Sequence, residues 1–478
     1  MKRYDVIIIG AGVVGTAIAR ELSRYKMRIA VLEKDTEPAF GVSKSNSGII
    51  HPGTQNPPNS LKGKLCLEGN RLMRIIAKEL RIDFKEVGEL IVAFNEEERS
   101  RLFRIKKDAE TLGVSRLEIV DRAWLAKNEP NLNREALCAL YAPTAGILSP
   151  YRLTYDLGEN AKKNGVEIYA ETKVEKIAGT RESDFEILTT MGQFRSKYVV
   201  NAAGLFADDI ARMVGINYFK IRPRKGEEFI LDKKKEHIAE HLLFPLPSQT
   251  SKGILIIKTS DGNPMIGPTA YDIDDKEDLS TTDQGLAAVL TGARKMIPTI
   301  NDSDIIAYFA GLRPVAGDDF IIRHEDKAPG LVTVAGIQSP GLTSAPAIAV
   351  MVANILKDAG MALKKKMFFH KHRPKTMHLF NIPLSETGKL IKKDQSYGDI
   401  VCRCEMVSAK EIRDAVRRGA HTLDGVKFRT RAQAGRCHGG FCTTRVMKII
   451  SQERKTSFTS ITKRGHGSEI VKKDRRND

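Results

Sequence analysis

The chain opens with a nearly continuous apolar run from Tyr4 to Ile9, of the kind that forms a buried parallel strand. A glycine-rich turn follows, and the apolar positions between Thr16 and Tyr25 then recur with the spacing of a helix that buries one side. A second apolar run from Arg28 to Leu32 predicts another strand. Together these elements predict a βαβ unit of the Rossmann type.

Farther along, the hydrophobic pattern alternates between helical and strand-like periods. Amphipathic helices are predicted over residues 61–80, 96–112, 151–164, 282–296 and 344–356. Short strands are predicted between 166 and 200, over 229–231 and 253–258, and over the buried run 331–335. This mixture, in a chain of 478 residues, predicts an α/β protein with more than one domain.

The pattern changes after residue 357, where lysine, histidine and proline replace the regular apolar spacing. We interpret residues 358–398 as a linker and residues 399–452 as a small helical domain. Within that domain, Ser408 would cap a helix from Ala409 to Arg418, Gly419 would end it, and a second helical stretch covers 422–430. Residues 453–478 form a basic tail that we expect to be poorly ordered.

Gly10, Gly12 and Gly15 stand between the first strand and the first helix in the order G-x-G-x-x-G. In this setting the glycines permit a tight turn, a close approach of a pyrophosphate to the backbone, and close packing of helix on strand. The helix N-terminus adds unpaired N–H groups for the phosphates. Glu33 ends the second strand, where a carboxylate can accept hydrogen bonds from ribose hydroxyls. The pattern predicts a dinucleotide site.

The segment from Gly41 to Gly53 favours FAD over NAD. It follows the ribose acid closely and is rich in small hydrogen-bond donors, which suit phosphate and ribityl oxygens. The candidate contacts within it are Ser43, Asn46, Ser47 and Gly48.

Four more segments follow this one in order: Asn201-Ala202-Ala203-Gly204, Arg224 to Phe229, Gly311-Leu312-Arg313-Pro314, and Gly336 to Thr343. With them, residues 1–357 resemble the D-amino acid oxidase/glycerol-3-phosphate dehydrogenase superfamily of flavoproteins. The resemblance implies that the last helix aims its positive end at the pyrimidine side of the flavin. It also implies flavin contacts from Gly204, Gly336, Gly341, Leu342 and Thr343.

The resemblance also implies a domain plan. A Rossmann-type FAD-binding domain would occupy about 1–90, 145–215 and 325–357, with a mixed-sheet substrate domain inserted at about 91–144 and 216–324. Residues 46–51 and 339–344 look most like the branch that holds L-2-hydroxyglutarate dehydrogenases and flavoproteins assigned as anaerobic-type glycerol-3-phosphate dehydrogenases.

This branch implies an FAD-dependent dehydrogenase of an anionic secondary alcohol, with sn-glycerol 3-phosphate as the leading substrate and dihydroxyacetone phosphate as the product. Three alternatives stay open. They are an L-2-hydroxyacid (2-hydroxyglutarate-like) dehydrogenase, an amine or imino-acid dehydrogenase subunit, and a non-catalytic electron-transfer subunit.

Flavin dehydrogenation needs one group that orients the substrate and one that takes up a proton. Arg313, in the superfamily's substrate-anion motif, is the candidate anchor because a guanidinium binds a carboxylate or phosphate through two hydrogen bonds. A structural ion pair is the alternative. His51 is the candidate base, since its ordinary pKa suits proton transfer near neutral pH. The alternative is a histidine that only contacts the flavin or the backbone.

Four of the six cysteines, Cys402, Cys404, Cys437 and Cys442, fall within one short C-terminal stretch. In a chain without an export signal, such clustering favours a metal or cluster site over disulfides. Four thiolates suit either zinc or a [2Fe–2S] cluster, and C-x-C with C-x₄-C is unusual for zinc, whose sites usually use C-x₂-C pairs.

The surroundings of these cysteines strengthen the cluster interpretation. Residues 402–405 and 435–442 resemble the bacterioferritin-associated-ferredoxin-like [2Fe–2S] domain. A four-thiolate cluster carries negative charge, which nearby arginines would partly offset. Those arginines are Arg403, Arg429, Arg431 and Arg436.

The net charge of +18 lies almost entirely at the C-terminal end, where residues 361–478 hold 28 Lys and Arg against 11 Asp and Glu. The first 360 residues are nearly neutral, with 49 against 48. A basic region suits an acidic protein, an anionic membrane, nucleic acid or an internal anion, but no nucleic-acid-binding module is recognisable.

A one-electron centre beside a two-electron flavin implies that electrons leave singly to a protein acceptor, a flavoprotein or a ferredoxin-like subunit. Any peripheral membrane association would then come through that partner. No apolar run reaches the roughly eighteen residues that span a bilayer, and no signal peptide is recognisable, so we expect a cytoplasmic protein.

Overall fold

The structure is a computed structural model that describes residues 1–179, 184–247 and 252–471. Its chain divides into two compact units. The first comprises Met1–Lys34 and Pro38–Arg373, and the second comprises Asp35–Glu37 and Pro374–Asp478. Within the described residues, no helix is both long enough and apolar enough to cross a membrane.

The strands of the described chain are, in order, β1 (Lys2–Ile9), β2 (Ile29–Leu32), β3 (Ile49–Ile50), β4 (Lys85–Glu86), β5 (Glu89–Ala93), β6 (Glu118–Asp121), β7 (Cys138–Ala142), β8 (Gly146–Ile147), β9 (Glu167–Tyr169), β10 (Val174–Gly179), β11 (Phe185–Thr189), β12 (Gly192–Asn201), β13 (Arg222–Leu231), β14 (Leu242–Pro245), β15 (Leu255–Ile257), β16 (Met265–Gly267), β17 (Tyr271–Asp272), β18 (Ile305–Val315), β19 (Ile321–His324), β20 (Leu331–Ala335), β21 (Ile400–Cys402) and β22 (Val407–Ser408).

The α-helices are α1 (Val13–Leu22), α2 (Leu61–Leu80), α3 (Glu96–Leu112), α4 (Arg122–Asn128), α5 (Pro150–Lys163), α6 (Ala207–Arg212), α7 (Asp283–Met296), α8 (Gly341–Asp358), α9 (Leu384–Lys393), α10 (Ala409–Arg417), α11 (Leu423–Thr430) and α12 (Thr443–Arg454).

The first sheet forms around a parallel core. β1 lies between β2 and β12, β9 continues the sheet beside β2, and β20 pairs in parallel with the end of β12. The apolar faces of α1, α2, α5 and α8 pack over one side, with Ile18, Met73, Leu153 and Ile348 buried among them. This arrangement is a Rossmann-type fold, so the prediction from the opening βαβ pattern is confirmed.

The second sheet is mixed, as predicted. Its order is β17-β13-β16-β15-β14-β5-β7-β6, with β18 beside β13, and only the pair of β14 with β5 is parallel among its described pairs. α7 packs on one side through Val289 and Ala293, and α3 packs on the other through Leu102 and Ala109. The long pair of β13 with β18 therefore lies in a sheet that is covered on both faces.

The second unit builds a separate apolar core from α10, α11 and α12, through Ile412, Val426, Val446 and Ile450. Ser408 caps α10 as predicted, since its hydroxyl accepts from the Glu411 N–H while the Glu411 carboxylate accepts from the Ser408 N–H. The helix ends at Arg417, close to the predicted stop.

Helix boundaries differ from the sequence prediction where glycine or proline governs them. α2 and α3 begin and end as predicted, but α1 begins at Val13 rather than Thr16 because the extended Gly12 already serves as its N-cap. α8 begins at Gly341 rather than Ser344 and continues through Pro346. The stretch interpreted as a linker contains α9, a helix that buries none of its residues and so lacks the apolar signal of a core helix.

The tail also differs from its prediction. The backbone N–H of Leu423 donates to the Thr462 carbonyl at 3.1 Å, and Thr462 pairs with Glu469 in an isolated β-bridge. Lys463 adds an ion pair to Asp424 at 3.4 Å. These contacts hold the described part of the tail against α11, and residues 472–478 lie outside the described chain.

Burial on α2 gives a direct test of this packing. Met73 is fully buried between the helices of the first unit, whereas Ile75 on the same helix is 47% exposed. We expect Met73→Ala to lower the free energy of unfolding by about 3 kcal/mol, through lost apolar contact and the cavity it leaves. Ile75→Ala should cost less than about 1 kcal/mol. Scanning calorimetry of both variants would contradict this packing if their transitions shifted equally.

Candidate active site

The glycine turn joins β1 to α1 with backbone groups alone at its centre. Gly10 has φ of 103°, and a Cβ on Gly15 would overlap the Gly10 carbonyl oxygen, so both positions need glycine. Gly12 occupies the N-cap position of α1 and has no side chain to accept from the first N–H groups of the helix. Its Val13 N–H instead donates to the Ser43 hydroxyl at 2.9 Å, which draws the following segment against the start of the helix.

Three of the predicted contacts lie at the same edge of the first sheet. In the register of the parallel strands, Ile9 stands beside Asn201, and Asn201 stands beside Thr333. The turn after β1, Gly204 after β12 and Gly336 after β20 therefore follow neighbouring carboxyl ends, where open α/β sheets bind ligands. Glu33 after β2 lies here too, and its carboxylate accepts from the Ala11 N–H at 2.7 Å.

The segment from Gly41 to Gly53 is folded by its own side chains. The Asn46 carboxamide donates to the Ser43 carbonyl at 2.9 Å and accepts from the Gly48 N–H at 3.0 Å. A Cβ on Gly48 would overlap the Leu148 carbonyl oxygen. Ser47 is half-buried in the same turn. These small residues therefore form one fixed surface beside α1.

The start of α8 lies against the end of that segment. The Thr343 hydroxyl accepts from the His51 N–H at 2.9 Å, and Pro340 supplies no side-chain cap before Gly341. Leu342 packs against the core of the first unit. The uncapped N–H groups of this turn are donors for an anion or a carbonyl oxygen.

These features fit FAD. The turn after β1 has no side chain where a pyrophosphate approaches, and a helix start supplies N–H donors to it. Ser43, Asn46, Ser47 and Gly48 lie beside that helix start, and Gly341 begins a second helix whose positive end favours the negative charge of a reduced flavin.

His51 is largely buried, with only 12% of its side chain exposed. The Nζ of Lys252 is 3.5 Å from both ring nitrogens, and the Glu89 carboxylate is 3.8 Å from Nδ1. Burial, and then the Lys252 charge, lower the pKa of His51 to about 4, although Glu89 opposes them. The imidazole is therefore neutral at neutral pH and can accept a proton.

Other buried side chains surround His51 and Lys252. Glu89 is fully buried at the start of β5 and accepts a hydrogen bond of 2.5 Å from the Thr54 hydroxyl. Burial lowers the pKa of Lys252. Cys66 lies beside the group, its thiol 3.6 Å from the His51 carbonyl, and burial raises its pKa to about 12.

Arg313 projects from β18, directly opposite Arg224 on β13. Its guanidinium donates to the Thr269 carbonyl at 3.3 and 3.4 Å, and it interacts electrostatically with Lys252. Glu228, on the same face of β13, is 4% exposed with one carboxylate oxygen unpartnered in the described chain. Burial raises the pKa of Glu228 to about 7, against the pull of Arg313.

Neither cation forms an ion pair within the described residues. In the described chain, the Nζ of Lys252 lies 3.5 Å from both ring nitrogens of His51, and the guanidinium of Arg313 donates to the Thr269 carbonyl. An added Cβ on Gly311 would meet the Ser45 carbonyl oxygen, so β18 passes directly beside the segment from Gly41 to Gly53. The two cations and the neutral base of His51 thus lie next to the surface that fits the flavin, and we call the region around them the cavity.

Lys252, Glu89 and Glu228 were not among the predicted site residues. Glu89 carried a signal, because a carboxylate that opens the apolar run to Ala93 is expensive to bury without a function or a partner. Glu228 lies inside a segment already noted for its resemblance. Lys252 has no local motif, and only the folding of the second sheet brings it to His51.

The four clustered cysteines come together in the second unit as two pairs. Cys402 ends β21, Cys404 follows it, and Cys437 and Cys442 lie in the loop before α12. The sulfur atoms of Cys404 and Cys437 are 3.5 Å apart, and the Cys442 thiol hydrogen-bonds to Cys402. No three His, Cys, Asp or Glu side chains of the described chain surround a single point.

This arrangement fits a cluster held by thiolates. Two sulfurs bound to one tetrahedral metal at about 2.3 Å would stand about 3.8 Å apart, close to the observed pair. Backbone N–H groups of Gly439 and Phe441 point at the Cys437 sulfur. The bond from Cys442, aided by backbone N–H groups, lowers the pKa of Cys402 to about 6. Such donors stabilise negative sulfur.

The expected arginine surroundings are only partly present. Arg431 pairs with Glu405 at 2.7 Å, and Arg429 pairs with Glu37, so carboxylates already neutralise both. Arg403 and Arg436 are exposed beside the cysteine loops. The positive charge around the site therefore lies mainly at the surface.

Comparison with known proteins matches residues 5–355 to the family described as FAD dependent oxidoreductase (DAO). This chain belongs to that family. Residues 400–452 match the BFD-like [2Fe-2S] binding domain family. The predictions of FAD and of a [2Fe–2S] cluster rather than zinc are confirmed, and with them the resemblance from which they came.

Individual proteins similar to this chain include enzymes named for two substrates. A protein of Caloramator mitchellensis named glycerol 3-phosphate dehydrogenase is 41% identical over 471 residues, or 98% of both chains. Glycerol 3-phosphate oxidase of Mycoplasma genitalium is 32% identical over 77% of this chain and 97% of its own. L-2-hydroxyglutarate dehydrogenase of Caenorhabditis elegans is 29% identical over 74% of this chain and 93% of its own.

The solved structures give the same fold. The dithionite-reduced L-alpha-glycerophosphate oxidase of Mycoplasma pneumoniae, with FAD bound, superimposes with a TM-score of 0.75 at 31% identity, over 78% of this chain and 99% of its own. The L-proline dehydrogenase of P. horikoshii, at 23% identity and a TM-score of 0.69, shares the fold of the oxidoreductase family.

Gly15 offers a test of the cofactor surface. In Gly15→Ala the new methyl group would overlap the Gly10 carbonyl, so the turn must shift and FAD affinity should fall at least tenfold. Gly179→Ala is the matched control, because Gly179 is exposed at the end of β10 and its Cβ meets nothing within 4 Å. Equal retention of FAD by both purified variants, measured by absorbance and by titration of the apoprotein, would contradict the assignment.

The charge of Lys252 should be visible in the titration of His51. Because His51 binds protons less readily when folded, the free energy of unfolding should rise with pH between about 4 and 6.5. Lys252→Met removes the repulsion and should raise the pKa of His51. The pKa of His51 can be measured by nitrogen-15 NMR of protein labelled at histidine, in which the His51 signal is the one missing from His51→Gln. An unchanged pKa in Lys252→Met would show that Lys252 does not act on the imidazole.

Proposed function

We propose that this chain oxidises sn-glycerol 3-phosphate to dihydroxyacetone phosphate and passes the electrons, through FAD and the [2Fe–2S] cluster, to a protein acceptor. The observation that carries the proposal is the pair of enclosed cations, Lys252 and Arg313, which have no carboxylate partner in the described chain. The carboxylates of Glu89 and Glu228 act on these two groups only electrostatically, whereas a phosphate would accept hydrogen bonds from both.

The cavity also supplies the remaining requirements of the reaction. Oxidation of a secondary alcohol removes a hydride from carbon and a proton from the hydroxyl oxygen. FAD, when bound, accepts the hydride. We assign the proton to a ring nitrogen of His51, which is neutral before substrate arrives. Arg313 and Lys252 hold the phosphate and so orient the carbon that loses the hydride.

Substrate binding should improve the base. The Lys252 charge contributes to the low pKa of His51, and a dianion beside that ammonium would offset its repulsion. The imidazole then binds a proton more readily when substrate is present than when the cavity is empty. Glu89, held by Thr54, favours the protonated imidazole that results.

Two comparisons support a dehydrogenase with a protein acceptor over an oxidase. The Caloramator mitchellensis relative named glycerol 3-phosphate dehydrogenase matches 98% of this chain, and so includes the cysteine-bearing region. The Mycoplasma genitalium relative named as an oxidase is matched over 97% of its length by only 77% of this chain. The cluster, when bound, carries electrons one at a time, which suits a protein acceptor.

L-2-hydroxyglutarate is the second candidate substrate, because it is also a dianionic secondary alcohol and a relative with that name matches 74% of this chain. Glycerol 3-phosphate carries both negative charges on one phosphate, whereas L-2-hydroxyglutarate carries one on each of two carboxylates. Direct comparison on the same protein therefore decides between them.

Anaerobic flavin reduction tests the proposal. Glycerol 3-phosphate should abolish the absorbance of the oxidised flavin rapidly, and L-2-hydroxyglutarate and L-proline should do so slowly or not at all. Arg313→Ala should lower kcat/KM for glycerol 3-phosphate by about 10- to 100-fold, the loss expected for hydrogen bonds to a charged group. The exposed Arg323 provides the control Arg323→Ala. Faster reduction by L-2-hydroxyglutarate would overturn the substrate assignment.

A further inference from the structure

The loop that carries Cys437 and Cys442 exposes a large apolar side chain. Phe441 stands immediately before Cys442, and 88% of it is exposed, more than any other phenylalanine that the structure describes. Met406, two residues after Cys404, is 42% exposed, and Cys404 itself is exposed. Each of the two cysteine loops thus exposes an apolar side chain.

The backbone holds Phe441 in this outward position. Its N–H points at the Cys437 sulfur, and the Gly440 N–H donates to the Cys437 carbonyl at 2.9 Å. Cys442 then caps α12, whose Val446 and Met447 are fully buried in the core of the second unit. The ring is therefore fixed outside that core by the same turn that positions the cysteines.

Positive charge surrounds this apolar surface. Arg403 and Arg436 are exposed, one in each cysteine loop. The acidic residue of these loops, Glu405, is 4% exposed and already paired with Arg431. Residues 361–478 carry 28 Lys and Arg against 11 Asp and Glu, whereas the first 360 residues are almost neutral. Charge complementarity therefore favours an acidic partner over this chain's own oxidoreductase unit.

We propose that Phe441 and Met406, with Arg403 and Arg436 around them, form the docking surface for an acidic electron-transfer protein. An exposed aromatic ring in loops that also expose two arginines has the composition of an interface hot spot. The inference rests on the proposed function, since it locates the acceptor. Each substrate molecule supplies two electrons, so it would reduce two acceptor molecules by one electron each.

Binding of an acidic flavodoxin to the holoprotein tests the surface without turnover. Phe441→Ala should raise the Kd, measured by calorimetry, at least tenfold, because truncation of a central aromatic removes most of a hot spot. Leu384→Ala is the control, since Leu384 is 86% exposed in the same unit on α9. Iron content and the EPR signal of the reduced cluster should be normal in both variants. Equal affinities of these variants would overturn the proposal.

Charge-reversal variants give a second, independent test of the docking surface. Arg403→Glu should weaken flavodoxin binding at least tenfold and flatten its dependence on salt, whereas Lys392→Glu, an exposed lysine of α9, should change it less than twofold. Cytochrome c, a basic acceptor, should bind more weakly than flavodoxin at low salt. Comparable or tighter binding of cytochrome c would overturn the proposal that the partner is acidic.

Other occupants of the surface give different results. If Phe441→Ala slowed reduction of the cluster by glycerol 3-phosphate with no acceptor present, the surface would serve this chain's own oxidoreductase unit. If it converted a dimer to a monomer in sedimentation, the occupant would be a second copy. Each result would overturn the docking proposal while flavin reduction by glycerol 3-phosphate remained intact, so its failure is distinguishable from failure of the proposed function.

Discussion

The ammonium of Lys252, 3.5 Å from the imidazole of His51, is the interaction on which the chemistry of the cavity depends. Burial, and then the repulsion between two like cations at this distance, lower the pKa of His51, so the histidine stays neutral. That single arrangement supplies both a proton acceptor and an anion-binding group. It also couples them, because whatever neutralises Lys252 makes His51 a better base.

The rest of the first unit serves to bring this pair to the flavin surface. The parallel core ends β1, β12 and β20 at one edge, and the hydrogen bond from His51 to Thr343 attaches the histidine to the start of α8. Arg313 comes from β18 of the second sheet instead, and Lys252 from the segment just before β15. The cavity therefore exists only where the two sheets meet, which explains why no short segment of sequence contains it.

Sequence periodicity was sufficient for the elements that bury a regular face. α2, α3 and β20 have the predicted bounds, because Ser60 and Asn95 cap the two helices and β20 is a continuous buried run. Helix starts at Gly12 and Gly341 were misplaced because glycine and proline there are set by backbone geometry rather than by apolar spacing. His51 and Arg313 could be chosen from motifs, but Lys252 and Glu89 could not, since their proximity comes from tertiary packing alone.

The pairing of β13 with β18 decides whether Arg313 faces the cavity at all. Arg313 and Glu228 share a face because nine consecutive antiparallel partners hold the two strands in one register, with Arg224 opposite Arg313. Side chains alternate along a strand, so a slip of one residue would turn Arg313 to the other face and put Leu312 in its place. Partial misalignment would therefore not yield a weaker enzyme; it would yield chains without the substrate anchor, mixed with chains that are fully competent.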